Sequence, residues 1–462
     1  MYLRFLPKNE DEWQILKTDS NIVLYDFPLD YDIEVYGTYY HDPEISDSSI
    51  TWQYTVIPID YQIPNVEHEI LYEVYIPPMD SISEESGLKS SKTSYYEDLM
   101  IESLKITGNY TEEESNLKST NGLFKPKRWH PSGTIQVYDH IVNRNIPLQG
   151  AEVHARWSTH IETRITDADG KFRMGGFIYK VNYAIKWERG YYDIRNGGLL
   201  QAWYNRSGRH EGEWNLNIGT GGESIMYATI HRAAHKHFYG DNLGIWRPIL
   251  MDGSKTKIIY KDGEGTGVFW GDWSSGGILP DIKIWGKNSS GNYKPTNQIF
   301  GTTAHELGHQ AHSQYMGNIQ FWQVSKIVYE SWADAVEWAL SNDEYHKLGN
   351  KYSVAAATNY FHPYNNHFDW PSVSDKAYSP IFIDLMDSWN QRNNIVDYRG
   401  ITIHIGSSTY PNDRISGYIL SYINFNILRN SYGLSSLRDE VKKHKITGVT
   451  DTDVDDLFAL YW

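Results

Sequence analysis

The sequence predicts a multidomain α+β protein, and three observations carry that prediction. Its 462 residues exceed one ordinary core and suggest about three domains. Hydrophobic residues at 40% and aromatics at 15%, with 17 Trp, 36 Tyr and 14 Phe, supply the material to fill such cores and exclude wholesale disorder. The hydrophobic period also changes along the chain, alternating in twos through the first part and following a helical repeat in the last.

Residues 1–80 form a β-rich N-terminal region, with alternating runs such as NIVLYDFPLDYDIEVYG (Asn21–Gly37) and ITWQYTVIPIDYQIP (Ile50–Pro64). Residues 81–128 shift to Ser, Glu, Lys and Thr and read as a polar linker or excursion, with a short helix at Tyr95–Ile106 as its one candidate element. From Gly133 to about Arg195 come GTIQVYDH, PLQGAEVHARW, ETRITDADGKFRMGGF and VNYAIKWERGYYDIR, β-rich runs divided by turns at Pro147–Gly150 and Asp167–Gly170. This pattern suits an antiparallel β-sandwich over 129–215. The P-L-x-G-A-x-V and T-D-A-D-G-K-F series resembles the transthyretin-like, or carboxypeptidase-regulatory-like, β-sandwich that accompanies secreted bacterial enzymes. Asp167 and Asp169 read as part of a plain turn, because the other ligand positions of an EF-hand-type calcium loop are missing. Residues 216–462 then run helix (Ile225–Gly240), strands (Lys255–Asp262, Thr266–Trp273, Pro280–Lys287), helix (Thr296–Met316), helix (Phe321–Leu340) and mostly helical material to the end.

Composition restricts the chemistry. Cysteine is absent, so thiol mechanisms, disulfides and Cys-ligated metals are excluded, and any metal ligand must offer nitrogen or oxygen. Forty-two Lys plus Arg against 58 Asp plus Glu give a net charge of −16, which repels a phosphate backbone and argues against a nucleic-acid partner. No stretch reaches the roughly 18 apolar residues of a membrane-spanning helix. The opening MYLRFLPKNEDEWQ lacks a secretory signal pattern, which leaves a cytoplasmic chain or one whose export signal was removed.

The sharpest motif is TAHELGHQAH at Thr303–His312, an HExxH made by His305, Glu306 and His309. Four residues on a helix turn through about 400° and rise about 6 Å, so both imidazoles face one metal ion. Glu306, about 100° round from His305, reaches a water on that ion as general base. A third ligand must come from elsewhere. His312 sits about 10.5 Å along the axis from His305, too far for three rings on one straight helix. A metzincin pattern would need Gly and His where His312 and Tyr315 stand.

Twenty-one positions after His309, YESWADAVEWAL places Glu330 and Asp334 four residues apart on one helix face. HExxH followed by ExxxD resembles the gluzincin family of zinc metallopeptidases. The resemblance implies a zincin-like mixed α/β catalytic domain with a helical C-terminal part, and Zn2+ held by His305, His309 and Glu330. It further implies Asp334 as the carboxylate behind a zinc histidine, most naturally His305, and hydrolysis of peptide bonds in proteins or glycoproteins. Glu337, on nearly the same stripe as Glu330, is a rival ligand without an Asp four residues on. His231 and His235 form a second pair at the same spacing, but Arg232 stands where the base would be, so they read as surface or packing residues. An oxyanion-stabilising Tyr or His is expected after the glutamate helix, with His362, His367, Tyr378, His404, Tyr410 and Tyr418 as undecided candidates. Thr266–Trp273 is the candidate edge strand for pairing with an extended substrate.

A binding protein is the alternative. Seventeen tryptophans could stack on sugars, making this a carbohydrate- or glycoprotein-binding surface protein with a structural or vestigial metal; Trp285, Trp332 and Trp338 nonetheless sit in core-like patterns. The domain order resembles secreted or lipid-anchored peptidases of host-associated bacteria. That resemblance implies an extracellular or cell-surface location, with a lipid anchor upstream of this chain; the cytoplasm is the alternative.

Overall fold

The computed structural model describes residues 1–73 apart from 20, 30–41 and 46–49, residues 129–349 apart from 158–159, 198–199, 250–254, 266 and 271–280, and residues 377–461 apart from 389, 391, 393, 397–401, 406–411 and 460. The polar stretch 81–128 therefore lies outside the described residues, as does the helix expected at 95–106. The protein is a multidomain α+β chain that divides into two compact units. The first comprises Met1–Thr134, Ala151–Lys186 and Leu199–Leu216; the second comprises Ile135–Gly150, Trp187–Gly198 and Asn217–Trp462.

In the first unit, strand Tyr2–Phe5 lies between Gln53–Val56 and His68–Tyr72, antiparallel to both. Helix α1 (Glu10–Thr18) starts where the side chain of Asn9 accepts the backbone N–H of Glu12 at 2.9 Å, satisfying one of the orphan donors of a helix start. It gives Trp13 and Leu16 to a core shared with Leu3, Phe5 and Ile22. A second antiparallel sheet runs Trp203–Asn205, Asn182–Lys186, Glu152–Trp157, His160–Ile165. The turn after it is built by Asp167, whose carboxylate accepts the N–H groups of Asp169 at 2.9 Å and Lys171 at 2.8 Å, an Asx-type turn.

The second unit carries a mixed sheet in the order Glu188–Arg189, Tyr192–Asn196, Thr256–Glu264, Asp281–Lys287, Gly267–Trp270. Tyr192–Asn196, Thr256–Glu264 and Asp281–Lys287 are parallel neighbours; Gly267–Trp270 closes one side antiparallel to Asp281–Lys287. The alternation at Tyr192–Asn196 reads from sequence as sandwich material, yet this strand pairs with Thr256–Glu264. A period of two identifies a strand but not its neighbour, which a parallel crossover sets through distant residues.

Helix α2 (Glu223–Phe238) and helix α4 (Lys326–Lys347) both pack on helix α3 (Thr296–Met316). At the start of α3, His140 Nδ1 accepts the backbone N–H of Thr296 at 3.2 Å, and Gly317, at φ 90°, ends the helix. The glutamate helix differs from its expected 321–340 span. Asn318–Phe321 forms a separate short turn, and α4 continues seven residues beyond Leu340. Those last turns are polar but paired: Arg232 donates to Asp139 at 2.8 Å and Glu344 at 3.1 Å, Lys236 to Asp343 at 2.6 Å, and the Tyr345 hydroxyl to Asp139 at 3.1 Å. Apolar periodicity does not register a helix end held by ion pairs. Beneath α4, Trp332, Trp338 and Leu340 join Ile381, Phe382 and residues of the C-terminal helices Leu434–Lys443 and Asp451–Phe458 in one core. No helix among the described residues is long and apolar enough to cross a membrane.

Part of the aromatic excess enters the cores, while Trp285, core-like in sequence, is half-buried. Trp13, Trp187, Trp203 and Trp332 are among the largest fully buried side chains, while Trp322 and Trp246 stand at the surface.

Candidate metal centre

Helix α3 presents His305 and His309 one turn apart, their rings 4.7 Å between centroids and at 86° to one another. Their Nε2 atoms are 3.1 Å apart, and Glu330 Oε2 lies 3.3 Å from the first and 3.2 Å from the second. Ligands about 2.0–2.1 Å from a tetrahedral zinc are separated by about 3.3–3.4 Å, so this triangle nearly matches one face of such a site and leaves a fourth corner open. Gly308 lets the two helices come close enough for that. A Cβ there would lie 3.2 Å from Val336 Cβ and 3.4 Å from Ala333 Cα, tighter than ordinary contacts.

Behind the triangle, His305 Nδ1 faces Asp334 Oδ1 at 3.1 Å and Glu337 Oε2 at 3.5 Å. Asp334 thus stands behind the histidine that the motif assigns to it. Glu337 belongs to the rear of His305 and not to the three-atom triangle. Among the described residues, the two groupings of side chains able to hold a metal are His305–His309–Glu330 and His305–Asp334–Glu337, which share His305 through its opposite ring nitrogens.

The buried carboxylates need a compensating positive charge. Glu306, Glu330, Asp334 and Glu337 are all buried around two imidazoles, and buried like charges are stable only when compensated. In the protein alone a proton supplies that compensation. Burial opposes the His305 imidazolium, but hydrogen bonds to Asp334, Glu330 and Glu337 outweigh it and hold the ring well above its ordinary range. Burial likewise opposes the Glu330 carboxylate, yet His305 and His309 hold it well below the carboxylate range. A divalent cation would replace these protons with a fixed charge.

Glu306 is not part of the triangle. Burial raises its carboxyl above the usual range, with His305 and His309 pulling the other way. The edge strand Gly267–Trp270 runs directly against it: a Cβ on Gly267 would fall 2.2 Å from Glu306 Oε1 and 2.6 Å from Thr302 Cγ2, so any larger residue there would displace the carboxylate. Phe269 of the same strand stacks on His309 at 6.2 Å, and Tyr329 meets His309 edge-on at 5.5 Å. Period-two alternation marks the strand Gly267–Trp270 but not the contacts of Gly267, Phe269 and Tyr329. Only Tyr329 carries a sequence signal, since it directly precedes Glu330.

Of the two oxyanion candidates whose side chains are described, Tyr378 is brought to the site and Tyr418 is not. Its ring stacks on His305 at 6.4 Å, and burial followed by Glu330 raises its hydroxyl above the ordinary tyrosine range. Tyr418 lies in the helical core, its hydroxyl donating to His444 O at 3.4 Å. For His404 only the backbone, in strand Thr402–Ile405, is described; His362, His367 and Tyr410 lie outside the described residues.

His312, His231 and their neighbours on α2 pack against other side chains. His312 is enclosed by Phe321 and Trp332. His231 is buried, with its ring nitrogens 2.9 Å from the Tyr192 hydroxyl and 2.9 Å from Gln149 O, so it has no lone pair to offer a metal. Burial is the main reason that His231, His237 and His312 are each depressed to about 3 and His235 to about 4. The unfolded chain protonates such rings near 6.5, so their neutral burial contributes stability above that pH that is lost as pH falls through 6.5 towards the folded values. Ring-nitrogen NMR should therefore show His231, His237 and His312 neutral from pH 8 down to 5. A midpoint near 6.5 for any of them would refute this.

No protein-family model matches the sequence, and no curated protein matches it. Among solved structures, a 9R-lipoxygenase from Cyanothece PCC8801 aligns with 12% identity over 51% of this chain and 31% of its own, at a TM-score of 0.13. That likeness is too slight to carry an argument about fold or function.

Proposed function

We propose that this chain is a zinc metallopeptidase of gluzincin type that hydrolyses peptide bonds in proteins or glycoproteins. The observation that carries the reading is the triangle of His305 Nε2, His309 Nε2 and Glu330 Oε2 at 3.1–3.3 Å, with a separate buried carboxylate, Glu306, on the same helix. Zn2+ in that triangle would supply a Lewis acid for the scissile carbonyl and acidify a water at the open corner.

Each protein group then has a role. Glu306, its carboxyl raised by burial, takes the proton of the attacking water and delivers it to the leaving nitrogen. Asp334 orients His305 from behind. The edge strand Gly267–Trp270 offers its backbone to an extended substrate, which brings the scissile bond alongside Glu306. Tyr378, against His305, would donate a hydrogen bond from its hydroxyl to the oxygen that becomes anionic, keeping its own proton. Tyr378→Phe should lower kcat by about 10–100-fold with zinc affinity unchanged; an unchanged kcat would remove Tyr378 from this role.

Tryptophans buried in cores, Trp332 and Trp338 among them, cannot stack on sugars, whereas Trp322 and Trp246 at the surface keep the carbohydrate-binding alternative open to test. The direct test incubates zinc-loaded protein with an unfolded protein and with a glycoprotein, and maps new termini by mass spectrometry with and without chelator. Chelator-sensitive cleavage is expected. Zinc-loaded protein that leaves both substrates intact would reject the reading.

A further inference from the structure

We infer that Glu337 is a second positioning carboxylate for the metal-facing histidine, sharing with Asp334 the task of holding His305 so that its Nε2 faces the ion. The inference rests on the metal-site reading above and extends it to a residue that the ExxxD motif does not contain.

Three observations lead there. First, Glu337 Oε2 lies 3.5 Å from His305 Nδ1, on the opposite side of the ring from the His309–Glu330 pair, while Asp334 Oδ1 is 3.1 Å from the same nitrogen. A ring N–H between two carboxylate oxygens has two acceptors, and both fix the same orientation and keep the proton on Nδ1. Second, the fold makes room for Glu337. Gly301, one turn before His305 on α3, stands where a Cβ would be 2.3 Å from Glu337 Oε1 and 3.1 Å from its Cδ. Any larger residue at 301 would drive the carboxylate from its seat. Third, Glu337 is as buried as the ligands it backs, at 4% exposure against 8% for Glu330. Burial of a carboxylate is unfavourable unless it gains compensating interactions, and the His305 N–H provides one.

Helix geometry explains how one face delivers all three acids. Glu330, Asp334 and Glu337 occupy i, i+4 and i+7 of α4, a single stripe. Because α4 runs past His305, the first residue of the stripe reaches the metal side of the ring and the next two reach its rear. Redundancy follows: with Asp334 gone, Glu337 still holds the N–H, and the reverse. Histidine ligands are commonly backed by one carboxylate, carbonyl or water, and its removal typically weakens metal binding by about 10–100-fold. Two partners should make each single loss milder and the joint loss severe.

The test measures zinc affinity by chelator competition, independently of any activity, for wild type, Glu337→Gln, Asp334→Asn and the double variant. The d–d absorption of Co2+-loaded protein reports the ligand field. Each single change should weaken zinc by up to about tenfold, and the double by more than the product of the two, a hundredfold or greater. Gly301→Ala, which displaces Glu337 without changing a charge, should move affinity and the Co2+ spectrum in the same direction as Glu337→Gln. Melting temperatures of the metal-free proteins separate these effects from misfolding.

Glu337→Gln binding zinc within twofold of its parent in both the wild-type and Asp334→Asn backgrounds, with an unaltered Co2+ spectrum, would overturn the inference and leave the metal site standing. A wild type that binds two zinc ions, falling to one in Glu337→Gln, would overturn it in favour of a second ion at the rear of His305. A wild type that binds no zinc, or a His309→Ala variant run beside it that binds zinc as tightly as wild type, would overturn both this inference and the function proposed above.

Discussion

Glu306→Gln is expected to keep zinc and lose catalysis. The residue lies outside the ligand triangle, so affinity should stay within about threefold of wild type, while kcat/KM falls by about 10³–10⁴-fold, roughly 4–5.5 kcal/mol of transition-state stabilisation. The pocket makes this substitution unusually clean. Gly267 closes against the carboxylate with no room for a Cβ, so a side chain of the same shape is held in the same place and only its basicity is removed. Burial works in the same sense: it raises the Glu306 carboxyl towards the pH at which a general base both accepts and returns a proton. Cleavage by Glu306→Gln at a tenth or more of the wild-type rate would assign the base to another group. Loss of zinc together with activity would instead make Glu306 part of the metal's own support.

Much of the site was legible because its spacing is helical. HExxH puts His305 and His309 on one face wherever a helix forms, and α3 spans the expected Thr296–Met316. ExxxD likewise put Glu330 and Asp334 on one stripe, and the fold brings both to His305, each on its own side of the ring. What the sequence did not disclose depends on contacts between distant segments. Gly267 was one glycine in a strand pattern; its meaning comes from Glu306, 39 residues later, lying against it. Tyr378 could not be told from the other tyrosines, since stacking on His305 leaves no periodic trace. Glu337 read as a rival ligand because helical spacing gives a direction but not the depth at which the neighbouring helix passes. The alternation over Tyr192–Asn196 identifies a strand but not its parallel neighbour, and the apolar pattern of α4 stops short where Arg232 and Lys236 replace apolar contacts by ion pairs.

Glu330→Gln should separate the ligand role from all of these. The carboxylate oxygen 3.2–3.3 Å from both imidazoles becomes part of a neutral amide, and a zinc ion loses one of three protein ligands together with its negative charge. Zinc affinity should fall by at least about a thousandfold, well beyond the 10–100-fold typical of an outer-shell partner, and peptide cleavage should vanish at zinc concentrations that saturate wild type. Stability provides a reading independent of catalysis. A ligand that binds only the folded state stabilises it by about 2.7 kcal/mol at a hundred times its dissociation constant, so wild type should melt higher with zinc than with chelator. Glu306→Gln should keep that zinc-induced rise and Glu330→Gln should lose it. In the metal-free protein His305 retains Asp334 and Glu337 as partners after the change, so the variant should still fold. A Glu330→Gln protein that is stabilised by zinc as strongly as wild type would show that the metal sits elsewhere, and with it the assignment of His305 and His309 as its ligands would fall.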